Sequence, residues 1–125
     1  MNTVTVEQIV IFHRKIVNVT GGSDGIRDRT LIDSALNKAI LTFDGKELYE
    51  GLIRKIAVIS YALIKNHGFV DGNKRIGVAT MLLLLTLNDI TINYSQSELI
   101  DLGLRVAEGL LKEEDIEHWI LKHQV

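Results

Sequence analysis

Nine consecutive residues, His67-Gly68-Phe69-Val70-Asp71-Gly72-Asn73-Lys74-Arg75, gather an imidazole, a carboxylate and two cations around a turn that contains glycine. An imidazole titrates near neutral pH, so His67 can take the proton of an attacking hydroxyl as a general base. Asp71 offers hard oxygen ligands, and Mg²⁺ commonly uses only one or two protein carboxylates, with nucleotide phosphates and water filling its other positions. Gly72 permits a turn that a Cβ would hinder, and Asn73 can cap or orient the loop. Lys74 and Arg75 set positive charge where phosphoryl oxygens would lie. Each residue alone has an ordinary structural explanation, a helix end for the histidine and a solvated face for the Lys-Arg pair. Together they read as an anion cradle, with Phe69 as the apolar anchor that pins it.

A cradle of this kind needs rigid neighbours. Apolar segments of helical length flank it, Ile53 to Ile64 before and Ile76 to Leu87 after, so the loop should empty into the first turn of a helix. Such a turn presents free backbone N–H groups and the positive end of a helix dipole, both suited to phosphate. Proline is absent and long apolar stretches recur at helical spacing, which predicts an all-α fold of about six helices around a central buried helix. Thr5 with Gln8 forms a capping box for a first helix ending near Val17, and Asp28 caps a second that reaches Ile40. Leu41 to Gly45 is a connector able to carry an extended piece, followed by a long helix from about Glu47 to Asn66. The next helix, Asn73 to Leu87, holds four consecutive leucines, Leu82 to Leu85, and is expected at the centre of the domain. After a short extended segment at Thr91 to Tyr94, Ser95 and Glu98 open a helix to about Glu108, and a last helix covers Glu113 to Lys122.

The chain of 125 residues is the size of one domain, 1–125, and its 46% hydrophobic and 24% charged residues are an ordinary globular balance. A net charge of −2 supplies no global field for nucleic acid, so no direct nucleic-acid partner is expected. No cysteine is present, which excludes disulfides and thiolate metal sites and accords with a reducing cytoplasm. The amino-terminal residues lack a secretory pattern, and the most apolar segment falls short of the roughly 20 residues that span a bilayer. A cytoplasmic location without membrane contact is therefore expected.

The run from His67 to Arg75 resembles the signature of the Fic/Doc family, and in particular its death-on-curing (Doc) branch of toxins from bacterial toxin–antitoxin modules. Gly25-Ile26-Arg27-Asp28 followed by Leu31, and the helical layout of nearly the whole chain, look like the same branch. The resemblance implies His67 and Asp71 as catalytic residues, Gly72, Asn73, Lys74 and Arg75 as nucleotide and phosphate contacts, Asp71 as the metal ligand, and ATP with Mg²⁺ as cofactors. Arg27 could touch ligand, although a surface or intramolecular pairing suits it better.

Two positions depart from the usual Fic motif. Lys74 stands where that motif has glycine, and Val78 stands where it has a second arginine. A lysine there obstructs close approach of a diphosphate to the backbone, and the missing arginine removes a phosphate clamp. The Lys variant resembles Doc-type proteins, which implies a protein kinase that transfers the ATP γ-phosphoryl group to a Ser or Thr hydroxyl of a target. Elongation factor Tu is the target class that the resemblance suggests, with arrested translation as the result. Alternatives are a Fic-type adenylyltransferase, or an inactive binding or regulatory module. No self-restraining Ser/Thr-x-x-x-Glu-Gly/Asn helix is found, so restraint is expected from another chain; the resemblance to the Doc branch implies a cognate antitoxin, expected on a partly apolar surface along the first two helices.

Overall fold

Thr5 opens the first helix in the expected way: its side chain accepts from the Gln8 amide while the Gln8 side chain accepts from the Thr5 amide. The computed structural model describes residues 1–125 and extends this helix, α1, over Val6–Thr20. It runs three residues past the expected end because the Thr20 hydroxyl bonds the Ile16 carbonyl, and it stops at Gly21. Asp28 caps α2, Arg29–Asn37, through the Thr30 amide, and a single 3₁₀ turn, Lys38–Ile40, completes the expected length.

The connector is a small antiparallel hairpin of β1, Thr42–Phe43, and β2, Lys46–Glu47, closed by Asp44 and Gly45 at positive φ. Pairing of Lys46 and Glu47 in β2 removes them from the following helix. α3 therefore begins at Leu52 rather than Glu47 and ends at Asn66. α4 spans Asn73–Leu87, α5 Gln96–Ala107 behind the Ser95/Glu98 capping box, and α6 Glu113–His123. Of the extended segment expected at Thr91 to Tyr94, one bridge forms, between Ile92 and Gln124.

The central buried helix is α3, not the leucine-rich α4. Every residue from Ile56 to Ser60 on α3 is buried, and the helix packs against α2, α4, α5 and α6. On α4, Leu84 and Leu85 are buried, while Leu82 and Leu83 are half-buried. The Leu82 side faces Ile90, Ile92 and Tyr94, a connecting segment that covers it less completely than a helix would. A run of like residues cannot reveal which of its sides lacks a helical neighbour.

α3 and α4 meet at Gly77, whose position leaves no room for a side chain: a Cβ there would lie 2.3 Å from Ile64 Cγ1. At the same crossing the Ser60 hydroxyl donates to the Gly77 carbonyl at 3.1 Å. The contact lies about one turn from the C-terminus of α3 and from the N-terminus of α4, so it sets the distance between the two ends that the His67–Arg75 loop must join.

Candidate functional site

α3 terminates at His67, which takes the left-handed conformation (φ 53°, ψ 50°). For a residue with a Cβ this costs about 1–2 kcal/mol, and the surrounding contacts offset it. Arg27 Nε donates to the His67 carbonyl at 2.6 Å and Nη2 to the Asn66 carbonyl at 3.1 Å, occupying acceptors left open at the helix end. Arg27 is thus an intramolecular clamp, one of the two pairings its sequence context favoured over ligand contact. Its neighbours continue the clamp: the Arg27 and Asp28 amides both donate to the Gly68 carbonyl, and the Val70 amide donates to that of Gly25. An antiparallel bridge joins Ile26 and Phe69. Phe69 is 2% exposed, the core anchor expected of it.

Asn73 closes the loop from the other side. Its side chain accepts from the Phe69 amide at 3.2 Å and donates to the Phe69 carbonyl at 3.0 Å. With its amide group turned inward, what Asn73 presents to the cleft is its backbone N–H. The Asn73 Nδ2 to His67 Nδ1 distance of 3.5 Å is at the outer limit of a hydrogen bond and does not fix the tautomer of His67. The His67 ring remains exposed.

Gly72 makes the turn into α4 at φ 77°, ψ 20°. α4 has no side-chain cap, unlike α1, α2 and α5, and the amides of Asn73, Lys74 and Arg75 find no acceptor in the protein. Three unpaired donors at the positive end of a helix suit an anion. Lys74 is exposed and forms no ion pair or hydrogen bond, so its ammonium group is available to the same cleft. Arg75 is differently placed. It donates to the Thr20 hydroxyl and, at 2.7 Å, to the Gly21 carbonyl, and its Nη2 lies 3.6 Å from Asp71. Its guanidinium ties α4 to the end of α1 as well as lining the site.

The Asp71 side chain is half exposed, with one carboxylate oxygen 2.8 Å from the Gly72 amide and the other 3.3 Å from the Ser23 amide. Those two amides, with Arg75 and His13 nearby, hold its carboxyl below the ordinary value of 3.8 against the opposing effect of desolvation. Nowhere do three His, Asp or Glu side chains converge into a protein-only cation cage. A single ionised carboxylate beside free amides and a free lysine is the donor set that suits Mg²⁺ shared with phosphates.

His67, Asp71, Gly72, Asn73, Lys74 and Arg75 line one cleft of about 390 Å³, together with Ile64, Val70 and Ala107. A larger cleft, about 600 Å³, lies between the amino-terminal segment and α2 and contains none of these residues. Volume does not distinguish them, but the residues whose types could do chemistry line the smaller. Sequence reasoning missed two contributors, the Ser23 amide and His13. A backbone amide carries no side-chain signature. His13 does have one, since it falls with Ile9 and Val17 on the buried face of α1, where a titratable residue is unusual.

Fold and loop together define an all-α protein whose histidine-to-arginine segment links the ends of two packed helices. The family described as the Fic/DOC family matches residues 3–85, which include α1 to most of α4 and the whole of this segment, and the chain belongs to that family. It is also similar to Toxin Doc of Mycolicibacterium smegmatis, with 32% identity over 93 residues, covering 74% of this chain and 67% of that protein.

Proposed function

We propose that this chain is the toxin of a toxin–antitoxin pair and acts as a protein kinase on a serine or threonine hydroxyl. The observation that carries the reading is Lys74: an exposed, unpaired ammonium group in the first turn of α4, beside three unpaired amides. A lysine here narrows the approach of a diphosphate to the backbone and favours a terminal phosphate at the helix end. Val78 supports the same reading. It packs towards Gly103 of α5 and lines an apolar groove with Leu99, Ile100 and Leu104, where a second arginine would have supplied a phosphate clamp.

In the proposed reaction the target hydroxyl oxygen attacks the γ-phosphorus of ATP, its bond to the β–γ bridging oxygen breaks, and ADP leaves. The hydroxyl proton passes to a ring nitrogen of His67. Lys74 and the α4 amides hold phosphate oxygens, and Asp71 would hold Mg²⁺. When bound, the cation neutralises charge on the phosphates. Positioning and charge neutralisation provide most of the catalysis in such transfers, and a loop pinned from both sides suits them.

The target class proposed is elongation factor Tu, in the cytoplasm, with arrested translation as the result. Restraint comes from a cognate antitoxin docked along the first two helices. The cleft beside α2, lined by Val6, Leu36 and Ile40 with Arg29 and Lys55, supports that location. The test incubates the protein with bacterial lysate and ATP labelled at the α- or the γ-phosphate. Transfer of γ-label to a protein is expected. Transfer of α-label would replace the reading with adenylylation, and no transfer of either label would favour a binding module.

A further inference from the structure

His13 is 1% exposed, reaches the site from a different helix, and is not among the residues of the His67–Arg75 segment. Its Nε2 lies 2.7 Å from the Asp71 carbonyl oxygen. A carbonyl can only accept, so Nε2 bears the hydrogen and donates it. No other group donates to that carbonyl: α4 begins two residues later, and the helix-type bond into it from the Arg75 amide does not form. The remaining ring nitrogen, Nδ1, is buried without a partner, so the ring has a single polar contact.

The same ring is stacked on Phe69, with centroids 3.8 Å apart and planes within 10°. It also lies close over the turn, since a Cβ on Gly72 would stand 3.2 Å from His13 Nε2. His13 therefore meets Phe69, Asp71 and Gly72, three of the four residues between Gly68 and Asn73. Packing alone would be served by an apolar residue. A buried histidine that leaves one nitrogen unsatisfied in order to direct the other at one carbonyl does more than fill space.

We propose that His13 is a positioning residue for Asp71: its Nε2–H holds the Asp71 peptide, and through it the orientation of the carboxylate between the Gly72 and Ser23 amides. The inference deepens the kinase reading and rests on it for its kinetic consequence. Its structural content, one hydrogen bond controlling one carboxylate, stands separately.

The test compares H13Q, which keeps a donor the same number of bonds from the backbone, with H13F, which keeps a ring over Phe69 and removes the donor. H13F should slow γ-phosphoryl transfer about 10- to 100-fold, as small misplacements in an active site do. The ATP concentration for half-maximal rate should stay close to that of the unmodified chain. H13Q should recover most of the lost rate. In hydrogen exchange of the folded variants, the Gly72 and Ser23 amides, which donate to the Asp71 carboxylate, should exchange faster in H13F and slow again in H13Q. If H13F does not melt cooperatively, H13M replaces it as an unbranched apolar side chain. Equal loss in the donor-keeping and donor-free variants would reduce His13 to packing and overturn the proposal, as would an unchanged rate in the donor-free one. Should the unmodified chain transfer no label, the kinase reading fails separately and amide exchange decides: unchanged Gly72 and Ser23 exchange rates without the donor overturn the role of His13.

Discussion

Replacing Gly77 by alanine tests whether the α3–α4 crossing sets the geometry of the site. The added Cβ would stand 2.3 Å from Ile64 Cγ1, 3.1 Å from Ile64 Cδ1 and 3.2 Å from the Ser60 carbonyl oxygen. Carbon atoms in good contact lie about 3.5–4.0 Å apart, so the helices must separate locally by more than about 1 Å or Ile64 must leave its rotamer. Ile64 is 2% exposed and has little room to turn. Overpacking of this kind costs about 1–3 kcal/mol, and loss of the buried bond from the Ser60 hydroxyl to the Gly77 carbonyl adds about 1 kcal/mol. Alanine returns about 1 kcal/mol through helix propensity. The net destabilisation expected is about 1–3 kcal/mol, read by urea denaturation, with a thermal midpoint lower by several degrees. Ile64→Ala alone should cost about 2–5 kcal/mol by leaving a cavity. The double variant should be more stable than additivity allows, by about 1–2 kcal/mol, because the shortened residue 64 makes room for the new methyl group. G77A as stable as the unmodified chain, together with additive behaviour of the pair, would refute the reasoning.

Three further outcomes are expected. His67→Ala should lower phosphoryl transfer by about 10²- to 10⁴-fold while cooperative unfolding is retained, and normal turnover in that folded variant would remove the proposed base. Lys74→Gly should reduce γ-transfer and widen access to the backbone; an undiminished γ-transfer rate would show that the lysine does not select the phosphate. Stability should also depend on pH through α5 and the carboxy-terminal turn, where Glu98 accepts from His123 Nε2 at 2.6 Å. The His123 contact, with the Ser95 amide and hydroxyl, lowers Glu98 from 4.5 to about 2, so its contribution is complete above 4.5 and is lost as pH falls from there towards about 2. The same hydrogen bond raises His123, whose contribution is complete below 6.5 and is lost as pH rises through its folded value. The contact therefore stabilises most between about pH 4.5 and 6.5, and E98Q, which can keep the cap on the Ser95 amide, should flatten the dependence on both sides. A pH profile identical to that of the unmodified chain would exclude this pair as its source.

Much of the architecture is readable along the chain because its causes are local. Thr5 with Gln8, Asp28 with Thr30, and Ser95 with Glu98 start helices through contacts spanning two or three residues, and each appears in the structure as its sequence implies. Boundaries set by pairing partners are harder to read. The start of α3 depends on Glu47 facing Thr42 across a hairpin, and nothing in Glu47 itself distinguishes a strand from the first turn of a helix. The candidate site divides in the same way. His67 to Arg75 are contiguous, so their types and spacing can be recognised directly, as can the substitutions at Lys74 and Val78. Which of them face the cleft cannot: Asn73 turns its side chain inward to Phe69, and Arg75 turns to Thr20 and Gly21.

By itself the sequence determined the helical class, the caps that begin the helices, and the loop of chemically able residues between two apolar segments. These depend on side-chain chemistry and periodicity over a few residues. Only the tertiary structure decided that α3 is the central helix, that Arg27 holds the end of α3 from 39 and 40 residues away, and that His13 reaches Asp71 across 58. Contacts across such separations are set by how helices pack, at crossings such as Gly77 on Ile64, and no local pattern along the chain encodes which distant residue arrives there.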